Sequence, residues 1–452
     1  MATDVDRLRI VKIAVYQAVE VTLAQGGADV APNAPIIADR EALVRVWLEP
    51  GVAWQPREVE AELAIGNGTA SRTATVVTPV NAASVDAELA STFTFTLRAS
   101  EVSDATTLSV TLSDGALHTP FDRWPERGEH SLNTSSSQGP FTVTLVPVTV
   151  NGYTPVLDTP TVSRFERYLS HVYPASSVVM SVHAPISLDF ALAGDGTGWD
   201  DALDALYAVR DADAPAPNVY YYGVLTPGAS LTDYCASDCV VGLSTVAARS
   251  DEGYRGAIGT GFFESNADTF SQETMAHELG HALGREHAPC GHPDSVDPRY
   301  PYPYGQIGVR GYDGRNLLDP DDYKDEMTYC VPVWISDYTW TGIFGRINYV
   351  NGLVGSQRVR SASGARLRVR TLTLGPSGQA HWGSERALAR APDGEPTNVE
   401  LLDRAGAVLG VVTVPFAKFD HLTGGFLSVP SEALARAGVT SVRVGATTLA
   451  VP

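Results

Sequence analysis

The run His277-Glu278-Leu279-Gly280-His281-Ala282-Leu283-Gly284-Arg285-Glu286-His287 constrains this chain more than any other stretch. Residues four apart on an α-helix share a face, so a helix here lets His277 and His281 hold one metal ion together. Glu278 stands beside them, placed to take a proton from a water on that metal. Gly284 permits a sharp turn with positive φ, which ends the helix and brings in His287 as third ligand. Three protein ligands leave a fourth position open, as in catalytic rather than structural zinc sites. A bare H-E-x-x-H is a weak signal. The added glycine and third histidine, in a chain with only ten histidines, make it specific, and one catalytic Zn²⁺ is the expected cofactor.

The 452 residues predict two to four domains. Charged residues make up 19 %, apolar residues 44 %, and there are 41 glycines and 29 prolines, a profile that suits secreted β-rich modules. A net charge of −20 argues against nucleic acid or an anionic membrane as partner. No run approaches the length of apolar sequence that a membrane span needs. The start, Met1-Ala2-Thr3-Asp4, has no basic-then-apolar leader. With four cysteines present, the expectation is a secreted monomer whose leader has been removed.

Residues 1–118 alternate polar and apolar in short runs, as in 42–48, 59–65 and 107–112, which predicts an immunoglobulin-like β-sandwich. Residues 119–138, rich in charge, Pro and Ser, read as a linker. From Gly139 to 352 strands interleave with helices: strands at 141–150, 178–185, 218–225, 240–247 and 257–263, and helices at 161–173 (capped by Thr159 or Thr161) and 200–211. The site helix follows from about Thr269 to Leu283, and a last helix runs from a Ser336 cap to Arg346. Residues 292–325 are irregular and read as a binding loop. Residues 353–452 return to short strands, including 358–360, and predict a second β-sandwich.

Asp325-Glu326-Met327-Thr328-Tyr329 lies downstream of the site helix, with Met327 one of only four methionines. Together with the eleven-residue run, it resembles the metzincin zinc metallopeptidases, over about 210 residues. The resemblance implies an α+β catalytic domain, a twisted mixed sheet plus the zinc helix, here flanked by two all-β sandwiches. It implies Met327 as a supporting residue under the metal and Gly284 as the turn. Tyr329 matches the tyrosine that, in the astacin and serralysin branches, donates to the oxyanion. Gly242, Leu243 and Ser244 are assigned to the sheet edge that pairs with an extended substrate. If both lie at the site rim, Cys290 and Cys330 suit one bridge and Cys235 and Cys239 a local one. Four cysteines allow three pairings, and a free Cys290 near zinc is the rival. The flanking modules resemble bacterial secreted enzymes, including the StcE-like mucin-cleaving group.

The implied activity is a secreted zinc endopeptidase acting on proteins or glycoproteins, O-glycosylated ones included. Glu278 is its general base and Tyr329 its oxyanion donor. The alternative is an adhesin or glycan- or protein-binding protein with a vestigial or self-processing protease domain. His292 is a weak competing ligand, and His118, His130, His171, His183, His381 and His421 read as structural or surface residues. Asp313, Asp319, Asp321 and Asp322 are candidate Ca²⁺ ligands without a calcium-loop signature, and read better as solvated carboxylates.

Overall fold

The structure, a computed structural model, describes residues 7–68, 70–235, 239–263, 269–357, 366–375 and 379–452. The N-terminal module packs two antiparallel sheets face to face. One orders Ala28–Asp29, Glu20–Gln25, Leu8–Tyr16, Ala42–Pro50 and Phe93–Leu97, and the other is built on Thr106–Asp114, Arg57–Asn67 and Ala70–Val80. Strict alternation decides which face is buried: Val59, Ala61, Leu63 and Ile65 point into the core and their neighbours out. The expected linker at 119–138 is corrected, because Pro120–Trp124 and His130–Ser131 both pair with Thr106–Asp114. Within that polar stretch Trp124 and Leu132 are buried, and these few apolar anchors suffice.

The middle module is built on a sheet ordered Val178–Val182, Phe141–Thr149, Val219–Leu225, Gly256–Thr260, Gly242–Ser244. The first four run parallel and the last antiparallel. Parallel strands are covered on both faces, and the residues divide accordingly. Tyr220, Tyr222 and Val224 join a core with Phe165, Leu169 and Met275, whereas Tyr221 and Leu225 join one with Leu203, Leu206 and Ile258. The helix Thr159–Val172 is capped by Asp158, whose Oδ1 accepts from Thr161 N at 3.0 Å, not by Thr159 or Thr161. Ser336 does cap the last helix, accepting from Thr339 N at 3.1 Å. That helix, Asp337–Gln357, runs past both Arg346 and the expected border at 352.

Residues 366–452 form one seven-stranded antiparallel sheet rather than two packed sheets. Its outer strands, Ala380–Leu388 and Thr447–Ala450, meet where Trp382 Nε1 donates to the Ala450 carbonyl at 2.7 Å, so the sheet curls almost closed around Leu372, Val399, Leu427 and Val429. The expected strand at 358–360 lies outside the described residues.

This module is fastened to the middle one. Arg386, fully buried, donates to Asp211 Oδ2 and to the Gly253 carbonyl, both at 2.6 Å, and lies against the rings of Tyr207 and Tyr254. Phe419 and Phe426 join the core of Tyr207 and Tyr254. Arg386→Ala takes from the largely buried Asp211 carboxylate its hydrogen-bonded cation and is expected to cost about 3–5 kcal/mol in chemical denaturation. Arg386→Ala/Asp211→Ala should cost less than the two single changes summed. Strict additivity would mean the pair is not coupled.

Candidate metal centre

The helix Phe270–Ala282 runs beneath the edge strand Gly242–Ser244 and carries His277, Glu278 and His281, all buried. Gly284 has φ +82°, and its N–H closes on the His281 carbonyl at 2.7 Å, which turns the chain so that His287 returns to the helix. The Nε2 atoms of His277 and His287 each lie 3.1 Å from His281 Nε2. Tetrahedral zinc with ligands at 2.0–2.1 Å requires nitrogens about 3.3 Å apart, so the three donors fit that ion.

Their orientation is set by the other ring nitrogens. Nδ1 of His277, His281 and His287 faces the backbone carbonyls of Glu326 (2.7 Å), Arg285 (2.7 Å) and Asp294 (2.5 Å). A carbonyl can only accept, so each Nδ1 carries the proton and each Nε2 lone pair points to the common centre. Burial, reinforced by the neighbouring imidazoles, holds His277 and His281 well below the usual imidazole range, and burial brings His287 down to about 4.

Met327 lies buried under the helix, its sulfur where a Cβ on Gly280 would sit. Its turn is pinned by the buried Asp325 carboxylate, which accepts from Met327 N (2.9 Å), Ser336 N (3.0 Å) and Thr339 Oγ1 (3.0 Å). Cys290 pairs with Cys330, joining the loop after His287 to the Met327 turn, and Cys235 pairs with Cys239. No cysteine is free. Tyr329, its ring centre 4.9 Å from that of His287, is half exposed beside the site.

Gly242 crosses so near Glu278 that a Cβ there would displace the carboxylate. Beside this crossing a cavity of about 400 Å³ is lined by Val240, Val241, Phe270, Glu273, His277, Glu278, Glu326, Tyr329 and Val331. Gly242–Ser244 is the last strand of its sheet, as expected, but its outer side is partly taken by residues from the C-terminal module.

Those residues were invisible to motif reasoning. His421, expected to be a structural or surface residue, instead enters the centre: its Nε2 lies 2.8 Å from Glu278 Oε1 and its Nδ1 2.5 Å from Tyr329 Oη. Beside it the buried Asp420 carboxylate accepts from Ser244 N at 3.0 and 3.1 Å and lies 3.5 Å from His281 Nε2. Burial opposes charge on His421, but Glu278 and Asp420 outweigh it and raise the imidazole to about 9. Burial and then the Asp420 charge push the Glu278 carboxyl well above its usual range, an effect that a bound cation would reverse. His292 does not join the cluster. Among the described residues Asp313, Asp319, Asp321 and Asp322 form no metal-capable group; Asp313 binds local N–H groups and Asp319 pairs with Arg310.

No family model and no curated protein matches the chain. Among solved structures, weak matches include a calcium-binding mutant of Bacteroides uniformis β-glucuronidase 2 and the same enzyme bound to a cyclophellitol aziridine. They have 9 and 11 % identity and TM-scores of 0.18, and each match covers 48 % of this chain and 29 % of the enzyme. A likeness at that level carries no argument about fold or activity.

The depressed imidazoles give a pH prediction. Below an unfolded-state pKa of about 6.5 the unfolded chain takes up protons that the folded metal-free site refuses. Stability contributed by His287 is therefore complete above that value and is lost as pH falls towards about 4. Melting temperatures of chelator-treated protein should drop across this window, and His287→Ala should flatten the drop. An unchanged slope in that variant would contradict the assignment.

Proposed function

We propose that this protein is a secreted zinc-dependent endopeptidase. The observation that carries the reading is the convergence of three buried imidazole Nε2 atoms, their Nδ1 protons held by backbone carbonyls, beside the Glu278 carboxylate, next to an open cavity and a sheet edge. The alternative chemistry for such a cluster, a closed structural site, would not place a carboxylate and an accessible cavity against the open side. The two disulfides favour an oxidising, extracellular setting.

When bound, zinc supplies Lewis acidity, lowering the pKa of a water towards about 7 and polarising a carbonyl. The chain's own residues do the rest. Backbone groups at the edge strand align an extended peptide by adding it as a strand. Glu278 takes the proton of the attacking water and passes it to the leaving amine. The Tyr329 hydroxyl donates to the oxygen that gains charge as the carbonyl becomes tetrahedral.

Mass-spectrometric mapping of cuts in casein and in a mucin-type glycoprotein, with and without a chelator, tests this reading. Chelator-sensitive cuts are expected, and their position relative to O-glycosylated Ser and Thr assigns the substrate class. Absence of cuts from protein carrying one zinc per chain would refute it. Glu278→Ala should keep the metal and lose on the order of 10²–10⁴-fold in kcat. Tyr329→Phe should cost about 10²-fold with the metal retained.

A further inference from the structure

Residues 419–424 join the strands Val408–Lys418 and Gly425–Pro430 of the C-terminal sheet, more than 130 residues beyond His287. They do not end at solvent. Thr245 and Phe419 form an antiparallel bridge, Val246 N donates to the Lys418 carbonyl at 3.3 Å, and Asp420 N donates to the Ser244 carbonyl at 3.3 Å. The Asp420 side chain takes Ser244 N in return and also accepts from His421 N at 2.7 Å. Asp420 thus fixes the segment to the edge strand and sets the direction in which the next residue leaves it.

That next residue is His421. Its imidazole lies between the two side chains assigned to proton transfer and oxyanion binding, one ring nitrogen on Glu278 and the other on Tyr329. It also stacks on the Tyr329 ring (centroids 5.1 Å, 26°) and on that of His277 (5.2 Å, 26°). It is near enough to the three metal-binding imidazoles to be considered a fourth ligand. Both of its nitrogens are engaged elsewhere, which leaves no lone pair for the metal. A flexible Glu278 and a half-exposed Tyr329 would otherwise have several rotamers each, and reaction rates fall steeply when such groups are misplaced by an ångström.

We infer that the C-terminal module is part of the active site, and that its His421 is a positioning residue which holds the Glu278 carboxylate and the Tyr329 hydroxyl at the metal centre. The inference rests on the peptidase reading above. A removable plug is the competing use of such a segment, and the packing speaks against it. Phe419 and Phe426 are buried in one core with Leu243, Ala247, Tyr207 and Tyr254, and Arg386 is buried in the same interface. Nothing in that core separates without exposing it to water. The segment also shortens the substrate edge. Val241 directs its carbonyl inward to Thr260 N, so by alternation Gly242 and Ser244 face outward. Ser244 is taken by Asp420, and Val240 by the Gly194 carbonyl on its N–H (2.9 Å) and by the Tyr234 hydroxyl on its carbonyl (2.8 Å), so peptide pairing falls to Gly242, on the side of the cavity.

The full-length chain with His421→Phe, which keeps the ring stack and removes both hydrogen bonds, tests the inference. His421→Gln, Tyr329→Phe and the His421→Phe/Tyr329→Phe double variant accompany it. One metal per chain and an unaltered visible spectrum of the cobalt-substituted protein are expected in His421→Phe. A changed spectrum would make His421 a ligand and overturn the inference. On a peptide spanning a mapped cut, kcat should fall about 10²-fold with KM nearly constant. His421→Gln, which restores one donor, should recover part of that loss, and the double variant should fall no further than His421→Phe alone. Unchanged or increased kcat in His421→Phe would identify a plug and refute the inference. Acetohydroxamate binding, followed by the cobalt spectrum, separates this inference from the peptidase reading. If the wild type cuts nothing, that reading fails, whereas weaker hydroxamate binding in His421→Phe still supports the positioning role and equal binding removes it.

Discussion

Three backbone carbonyls, those of Arg285, Asp294 and Glu326, hold the candidate metal centre in its shape. Each accepts the Nδ1 proton of one histidine and so decides which nitrogen is left to bind. The three carbonyls come from different places: the turn after Gly284, the loop after His287, and the turn carrying Met327. The centre is therefore only as well formed as those three segments, and much of the surrounding structure serves to fix them. The Cys290–Cys330 bridge ties the second to the third, and the buried Asp325 carboxylate pins the third to the start of the last helix.

The same economy explains the glycines. Gly280 makes room for the Met327 sulfur beneath the helix, Gly242 lets the edge strand pass over Glu278, and Gly284 adopts the left-handed turn. Each is a place where the backbone meets a side chain or another backbone closer than a Cβ allows. Bulk at any of them separates elements that the proposed chemistry needs in contact.

What the sequence made legible is mostly local. The spacing of His277, His281 and His287 requires a helix and a turn, and those form where expected. The Met327 turn and the 242–244 edge strand also sit against the site. Contacts made by distant residues left no mark. His421 stands beside Asp420 and a glycine-containing loop with no ligand spacing, and its role depends on a whole module docking through Arg386 and Phe419. The 119–138 stretch looked like a linker because its polar composition outweighs Trp124 and Leu132, yet two buried anchors are enough to bind short strands to a sheet edge. Alternating strands in the C-terminal module satisfy a sandwich and a curled, nearly closed sheet equally well, since both have one inner and one outer face. The approach of the two outer strands, through Trp382 and the Ala450 carbonyl, decides between them, and no periodicity encodes it.

Zinc K-edge X-ray absorption on the protein as purified reads the ligand set of the candidate centre itself. Three imidazole nitrogens and one oxygen at about 2.0–2.1 Å are expected, the signature of a three-histidine site with one exchangeable position. Four imidazoles, a sulfur ligand, or no stoichiometric zinc would contradict it.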